Sequence, residues 1–403
     1  MSSDLLAGVY RNADEIGTIV KTETGTAFHF AADYQQSSIP GGGVSFTMPY
    51  RKDPQVFAGR AIHSFFTNML PEGRRLTALK ERNKISFDDD LSLLLASGPD
   101  TVGDISIVRP GGDPFAPQAI VDVLNLENAD FRVAAEQSIG GKVTEPSVPG
   151  VMDKVSAGMI SLPIRSRRKR EYYILKLNPP DKPTLIENEH ACMTFARACG
   201  LTVAETRLVV DKRGVPGLLV RRFDRVAAKP HPIKLHVEDA CQFCSRYPAD
   251  KYDLTMSEIA TGLMQFSSAP KVELLRLLEL YVFSYLVCNG DMHAKNISLL
   301  TSADGVTRLS PAYDLVCTLV YQDDKMALKL DGRDDNFNGR DIVQFGLRFG
   351  IPEAATRDMI LRLVSALGKY KSQFDALPFT AKEKLHFEQV HAQRLQRVVQ
   401  FQS

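Results

Sequence analysis

The feature that most limits the fold is an interruption. An apolar, helix-like run from Leu274 to Val287 stops at Asn289-Gly290, where glycine permits backbone angles that a helix cannot continue through. The next six residues, Asp291 to Asn296, include an acid, a histidine (His293), a lysine (Lys295) and an amide. An apolar strand (Ile297 to Leu300), a polar turn (Ser302 to Gly305) and a second strand-like run ending at Asp314 follow. A long helix therefore hands the chain to a tight polar loop and then to a hairpin.

That spacing suits phosphoryl transfer, which needs a carboxylate to orient or deprotonate the attacking hydroxyl and oxygen ligands to hold Mg2+ against the phosphates. Protein kinases set the base Asp five positions before a metal-binding Asn, with a second metal-binding Asp after the next strand. Asp291 and Asn296 keep that offset, and Asp314 stands where the second ligand would be. Mg2+ takes few protein oxygens when phosphates supply others, so one Asn and one Asp suffice. The same residues would equally serve an Asx-rich loop that only caps a helix and opens a hairpin. The loop alone leaves both readings open.

At 403 residues the chain calls for two or three domains. A hydrophobic content of 44% and a charged content of 24% are those of a soluble globular protein. A formal net charge of +1 makes any nucleic-acid surface a matter of a local patch. Met1 to Asn12 lacks a basic stretch followed by an apolar run, so no signal peptide is expected. The run at Leu274 to Val287 carries Arg276 and Glu279 and is too short for a membrane span. The six cysteines then read as reduced thiols of a cytoplasm. Cys241 and Cys244 have the spacing of a redox or zinc pair, but with no partner pair they read as one turn of a helix.

Residues 5 to 50 alternate short apolar runs with polar breaks (Leu6 to Tyr10, Ile16 to Val20, Ala27 to Phe30, Val44 to Phe46), which is strand-and-turn texture. Helical patterns follow at Ala61 to Asn68, Pro71 to Arg82 and Asp88 to Ser97. A hairpin is expected from Val155 to Leu177; its basic tip, Arg165 to Glu171, reads as a solvated turn before a nucleic-acid contact. Lys176 sits inside the apolar strand Tyr172 to Leu177, either facing an anionic partner or on the solvent face of an edge strand. A helix from Pro183 to Gly200 precedes strands at Val203 to Val210 and Gly217 to Phe223. Beyond Pro230 helices dominate: His236 to Cys244, Met256 to Gln265, Val272 to Val287, Glu353 to Leu367 and Ala381 to Phe401. The expected fold is α+β with two lobes, a strand-rich first half carrying an extra amino-terminal subdomain and a mainly helical second half, with a cleft between. The expected units are 1–110, 111–228 and 229–403.

Seven pieces, the loop among them, stand in order: Ser147 to Lys154, Tyr173 to Leu177, Glu187 to Glu189, Val220 to Arg225, His236 to Gln242, Gly290 to Asn296 and Tyr313 to Leu315. Together they resemble the HipA family of bacterial serine/threonine kinases, the toxins of type II toxin–antitoxin pairs. Phe65 to Gly73 resembles that family's amino-terminal subdomain. The resemblance implies a two-lobed, kinase-like fold that uses ATP and Mg2+. Asp291 would be the catalytic base and Asn296 and Asp314 the Mg2+ ligands. His293, Ala294 and Lys295 would line the same phosphate-facing loop, with Tyr313 beside Asp314. Lys176 would touch the nucleotide phosphates, and Pro149, Gly150, Val151, Met152, Asp153 and Lys154 would form the phosphate loop. Arg221, Arg222 and Phe223 would be the adenine-contacting connector. Arg221 stands where members often carry an acid, and Met152 where a polar side chain is expected. Ser147 matches the serine that members autophosphorylate, a change that ejects the phosphate loop and switches the kinase off; added negative charge in a phosphate-binding loop is a physical cause.

The family also implies growth arrest and persistence, an aminoacyl-tRNA synthetase as substrate (notably the glutamyl enzyme), and a small HipB-like helix-turn-helix antitoxin. That antitoxin would hold the kinase on operator DNA as a repressor, in the bacterial cytoplasm and without a membrane contact. Two other readings compete. A small-molecule or lipid kinase explains the loop but not residues 1 to 110, and a non-catalytic co-repressor subunit explains the partner but not four intact catalytic-type residues.

Overall fold

The computed structural model describes residues 6–34, 39, 42–58, 62–86, 89–115, 128–139, 160–165 and 171–402. Polar turns cut the amino-terminal sequence into short strands: β1 (Leu6–Arg11), β2 (Asp14–Lys21), β3 (Gly25–Phe30) and β4 (Gln55–Ala58). Asn12 makes the first turn at φ 53°, a left-handed angle that Asn tolerates. With β5 (Ile105–Val108) they form an antiparallel sheet in the order β4-β3-β2-β1-β5. Helices α1 (Ser64–Thr67), α2 (Gly73–Asn83) and α3 (Asp90–Ser97) lie between β4 and β5 in sequence. The core of this unit joins Val9, Ile19 and Phe28 of the sheet to Phe65, Phe66, Leu91 and Leu94 of the helices.

The second sheet, with α4 (Phe131–Ile139) before it, contains β6 (Ile160–Arg165), β7 (Tyr172–Leu177), β8 (Thr206–Val210) and β9 (Pro216–Arg221) in the order β6-β7-β9-β8; α5 (Leu185–Ala198) lies between β7 and β8. Strand periodicity sorts its two faces. Leu175 and Leu219 pack with Phe131 of α4, whereas Leu218 and Val220 join Ile186, Met193 and Phe195 of α5. Lys176, next to Leu175 and paired with Leu218 across the ladder, falls on the α5 face. It therefore lies on a central strand, which removes the edge-strand reading.

The rest of the chain holds β10 (Arg225–Val226), β11 (Ile233–Lys234), β12 (His236–Asp239), α6 (Ala240–Phe243), α7 (Met256–Phe266), α8 (Pro270–Leu286), β13 (Ser298–Thr301), β14 (Thr307–Leu309), α9 (Gly339–Arg348), α10 (Glu353–Lys369) and α11 (Ala381–Val398). Around α8, buried Leu277, Tyr281, Phe283 and Tyr285 belong to the main core with Ile342, Met359, Ile360 and Phe387. Among the described residues no helix is long and apolar enough to cross a membrane.

Three expectations need correcting. Val44 to Phe46 is a turn closed by a single Ser45–Met48 bridge; the fourth strand of the first sheet is Gln55–Ala58. The segment expected as a helix from His236 begins as β12, because it pairs with β13 and both residue faces are buried; Asp239 then caps α6 by accepting from the Gln242 N–H. The run leading to Asp314 is a strand only at Thr307–Leu309, after which Ala312 bonds to Thr202 and Ala204.

Buried charge joins the amino-terminal unit to the rest. Arg222 and Arg225 share Asp224, Asp100 and the Thr101 carbonyl. Arg11 reaches Asp104 (2.8 Å), Asp104 reaches His236 Nδ1 (2.9 Å), and His236 Nε2 reaches Glu238 (2.8 Å). Breaking such a pair from one side strands a buried charge, at a cost of about 3–5 kcal/mol.

Candidate active site

Helix α8 ends at Leu286, and the left-handed residue that turns the chain is Cys288 at φ 57°. Gly290 is needed for a different reason than its backbone angle. A Cβ there would lie 2.6 Å from the Lys325 carbonyl oxygen, 2.9 Å from Thr318 Oγ1 and 3.0 Å from the Asp323 carbonyl oxygen. The Gly290 N–H donates to Thr318 Oγ1 at 2.7 Å, pinning the loop to that neighbour.

Asp291 is buried, and its carboxylate Oδ1 accepts from the Tyr252 hydroxyl at 3.0 Å. Its backbone is held as well: the N–H donates to Asn289 Oδ1 (3.2 Å), and the carbonyl accepts from Asn296 Nδ2 (2.9 Å). Using the amide nitrogen of Asn296 in this way leaves its oxygen as the donor atom for a cation. His293 packs edge-on against Tyr252, with ring centroids 5.0 Å apart, and its Nδ1 has no hydrogen-bond partner among the described residues. Burial lowers its pKa, while the charges of Asp291 and Asp314 pull the other way.

Lys176 reaches Glu189 on α5 with two bonds, 2.7 and 2.9 Å, and also contacts Asp314. Burial pulls the ammonium's pKa down, but Asp314 and Glu189 outweigh it and hold Lys176 charged. Burial, with Asp314 close by, pushes Glu189 above the usual carboxylate range despite its lysine. Asp314 takes φ 56°, so a left-handed turn aims its side chain, which is 29% exposed, toward Lys176. Asn188 straps α5 to the residues after Asp314, donating to the Cys317 carbonyl (2.8 Å) and accepting from its N–H (3.0 Å).

Other candidates are placed differently. Phe223 lies 5.8 Å from Tyr313, ring to ring, and the Tyr313 hydroxyl donates to the Lys295 carbonyl at 2.7 Å. Ala294 is buried in the 3-10 turn Ala294–Asn296. Arg221 is exposed and pairs with Glu205. Two cations expected at the nucleotide point elsewhere. The Arg222 guanidinium is buried on Asp100 and Asp224, and the Lys295 ammonium bonds Asp239 (2.7 Å) and Asn68 (3.0 Å), with Glu72 at 3.6 Å. Ser147 and Pro149 to Lys154 lie outside the described residues. Cys241 and Cys244 sit on and just after α6, the latter donating to the Glu258 carbonyl.

Three contributors escaped the sequence reading as site residues: Glu189, Asn188 and Tyr252. The first two had a signal, since adjacent polar residues interrupt a helix face with Ile186, Ala191, Cys192 and Met193 buried around them. Tyr252 had none, lying in a polar segment well upstream of the loop.

Residues 146–370 match the HipA-like C-terminal domain and residues 7–108 the HipA N-terminal domain. The chain is 28% identical over 332 residues to the putative kinase Y4mE of Sinorhizobium fredii, covering 77% of this chain and 76% of that one. It is 26% identical over 343 residues to the serine/threonine-protein kinase toxin HipA of Shewanella oneidensis, covering 80% and 76%. A chain from the solved complex of Shewanella oneidensis MR-1 HipA, HipB and operator DNA shares the fold, with a TM-score of 0.74, 22% identity and 97% and 96% of the two chains covered. An α+β fold of two lobes and an amino-terminal subdomain, with both domain patterns in order, therefore places the chain in the HipA family of serine/threonine-kinase toxins.

Proposed function

We propose that this chain transfers the γ-phosphoryl group of Mg·ATP to a protein serine or threonine and so arrests growth. The observation that carries the reading is the meeting of Lys176 with Glu189 and Asp314. Asp291 takes the proton of the attacking hydroxyl, the new O–P bond forms, and ADP leaves. Lys176 holds the nucleotide phosphates and Glu189 orients Lys176. Phe223 and the backbone of Arg221 to Phe223 meet the adenine.

Asn296 and Asp314 would hold Mg2+. Both offer hard oxygen donors, and the carboxylates of Asp291, Glu189 and Asp314 outnumber the single ammonium of Lys176, which suits a divalent cation. Mg2+ usually keeps several waters and is held by one or two protein oxygens plus substrate phosphates, so two protein ligands would suffice. When bound, Mg2+ offsets charge on those phosphates.

The finer reading follows the family. Residues 1–110, 111–228 and 229–403 act as amino-terminal subdomain, nucleotide lobe and catalytic lobe. Pro149 to Lys154 cradles phosphate, Ser147 is the site of self-inactivating autophosphorylation, and the substrate is an aminoacyl-tRNA synthetase such as the glutamyl enzyme. A helix-turn-helix antitoxin neutralises the kinase and links it to operator DNA in the bacterial cytoplasm; the likeness to a chain solved with HipB and DNA supports this partner. Wild type and Asp291→Asn, incubated with Mg·ATP and mapped by mass spectrometry, test the reading. Phosphate on Ser147 of the wild type alone is expected, and equal phosphorylation of both proteins removes the base assignment.

A further inference from the structure

We propose that Tyr252 is a positioning residue for the base, holding the Asp291 carboxylate where it can meet the acceptor hydroxyl. The proposal rests on Asp291 being that base. Tyr252 ends the 3-10 turn Pro248–Tyr252, and its hydroxyl donates to Asp291 Oδ1 at 3.0 Å. In this bond the phenol O–H is the donor and the carboxylate oxygen the acceptor. Burial, and then the Asp291 charge, push the phenol's pKa far up, so it remains a donor throughout the physiological range.

The backbone bonds to Asn289 and Asn296 hold the main chain of Asp291 but leave its side-chain torsion to other contacts. A hydrogen bond to Oδ1 sets that torsion. General-base catalysis depends on hydrogen-bond reach to the proton being taken, and a displacement of about 1 Å costs about a hundredfold in rate.

Tyr252 is itself clamped. Its ring meets His293, the Lys251 ammonium lies 5.3 Å over its face, and Lys251 is paired with Glu72, the residue that precedes α2. Glu72 also lies 3.6 Å from Lys295 of the catalytic loop. The amino-terminal unit thus braces both the loop and the turn that orients its acid. A ring held on two sides suits a fixed support better than a plug that an acceptor must displace.

Tyr252→Phe keeps the ring and its packing and removes the donor. With Mg·ATP, and phosphate incorporation followed by intact mass, the variant should turn over about 10- to 100-fold more slowly while KM for ATP stays unchanged. Glu72→Gln, which loosens the clamp from outside the cleft, should lower the rate in the same direction by less. A Tyr252→Phe rate equal to or above wild type overturns the proposal, and so does phosphate found on Tyr252, which would make this hydroxyl an acceptor. Asp291→Asn run alongside separates the two levels. If it is dead while Tyr252→Phe is fully active, the base stands and the positioning role falls. If it turns over like wild type, or if wild type transfers no phosphate, the catalytic reading falls and takes the proposal with it.

Discussion

Gly290→Ala tests whether the catalytic loop is held by contact rather than by backbone angle. The added methyl would meet two backbone carbonyls, at 2.6 Å (Lys325) and 3.0 Å (Asp323), and the Thr318 hydroxyl at 2.9 Å. None can yield cheaply. The carbonyls belong to the chain, and Thr318 Oγ1 already accepts from the Gly290 N–H and donates to the Asp323 carbonyl at 2.5 Å. Overpacking of this kind costs about 1–3 kcal/mol. If the loop relieves the clash by shifting about 1 Å, Asp291 moves with it and transfer should fall about a hundredfold. Gly368→Ala is the control: it lies in α10, its Cβ would meet nothing within 4 Å among the described residues, and the change should stabilise the helix by about 0.5–1 kcal/mol. Thermal melting and steady-state phosphoryl transfer of both variants make the comparison. A Gly290→Ala protein that melts and turns over like wild type would refute the contact argument.

Asp291→Asn should lower phosphoryl transfer about 10²- to 10⁴-fold with an unchanged melting temperature, read by radiolabel incorporation from Mg·ATP. Lys176→Met should destabilise the protein by about 3–5 kcal/mol, because Glu189 loses its cation in a buried site. Lys176→Met combined with Glu189→Met should recover stability in melting experiments without recovering nucleotide use; no recovery would mean the pair is not the source of the loss. His236 gives a pH signature. Burial lowers its pKa, but Asp104 and Glu238 outweigh this and raise it to about 9 from 6.5, with Arg11 behind Asp104. The stabilisation is therefore complete below about pH 6.5 and fades as pH rises through about 9, amounting to about 3 kcal/mol. His236→Gln should flatten the alkaline side of a melting-temperature profile. Ser147→Ala should leave the kinase active through prolonged incubation with Mg·ATP, and mass spectrometry finding the inactivating phosphate elsewhere would reject that assignment.

What the sequence settled was local. The apolar run into Asn289-Gly290, the five-residue offset from Asp291 to Asn296 and the buried-type Lys176 are all patterns within a few residues, and each is visible because periodicity and spacing are properties of a short stretch. The helix α8 and the strand β7 follow from the same periodicity. Tertiary structure decided where side chains point once elements pack. Strand parity put Lys176 on the α5 face, and only the seating of α5 brought Glu189 to it. Arg222 and Lys295, read as nucleotide-facing cations, were claimed by carboxylates that neutralise a buried charge: Arg222 by its neighbour Asp224 and the distant Asp100, Lys295 by the distant Asp239. The segment after His236 became a strand because β13 offered it hydrogen bonds along its whole length. Tyr252 reached Asp291 from 39 residues away, carried there by a turn whose sequence gives no sign of its destination. Spacing names the reacting groups, but a long-range hydrogen bond or ion pair forms only where packing brings both partners within reach, and that information is held by the whole chain.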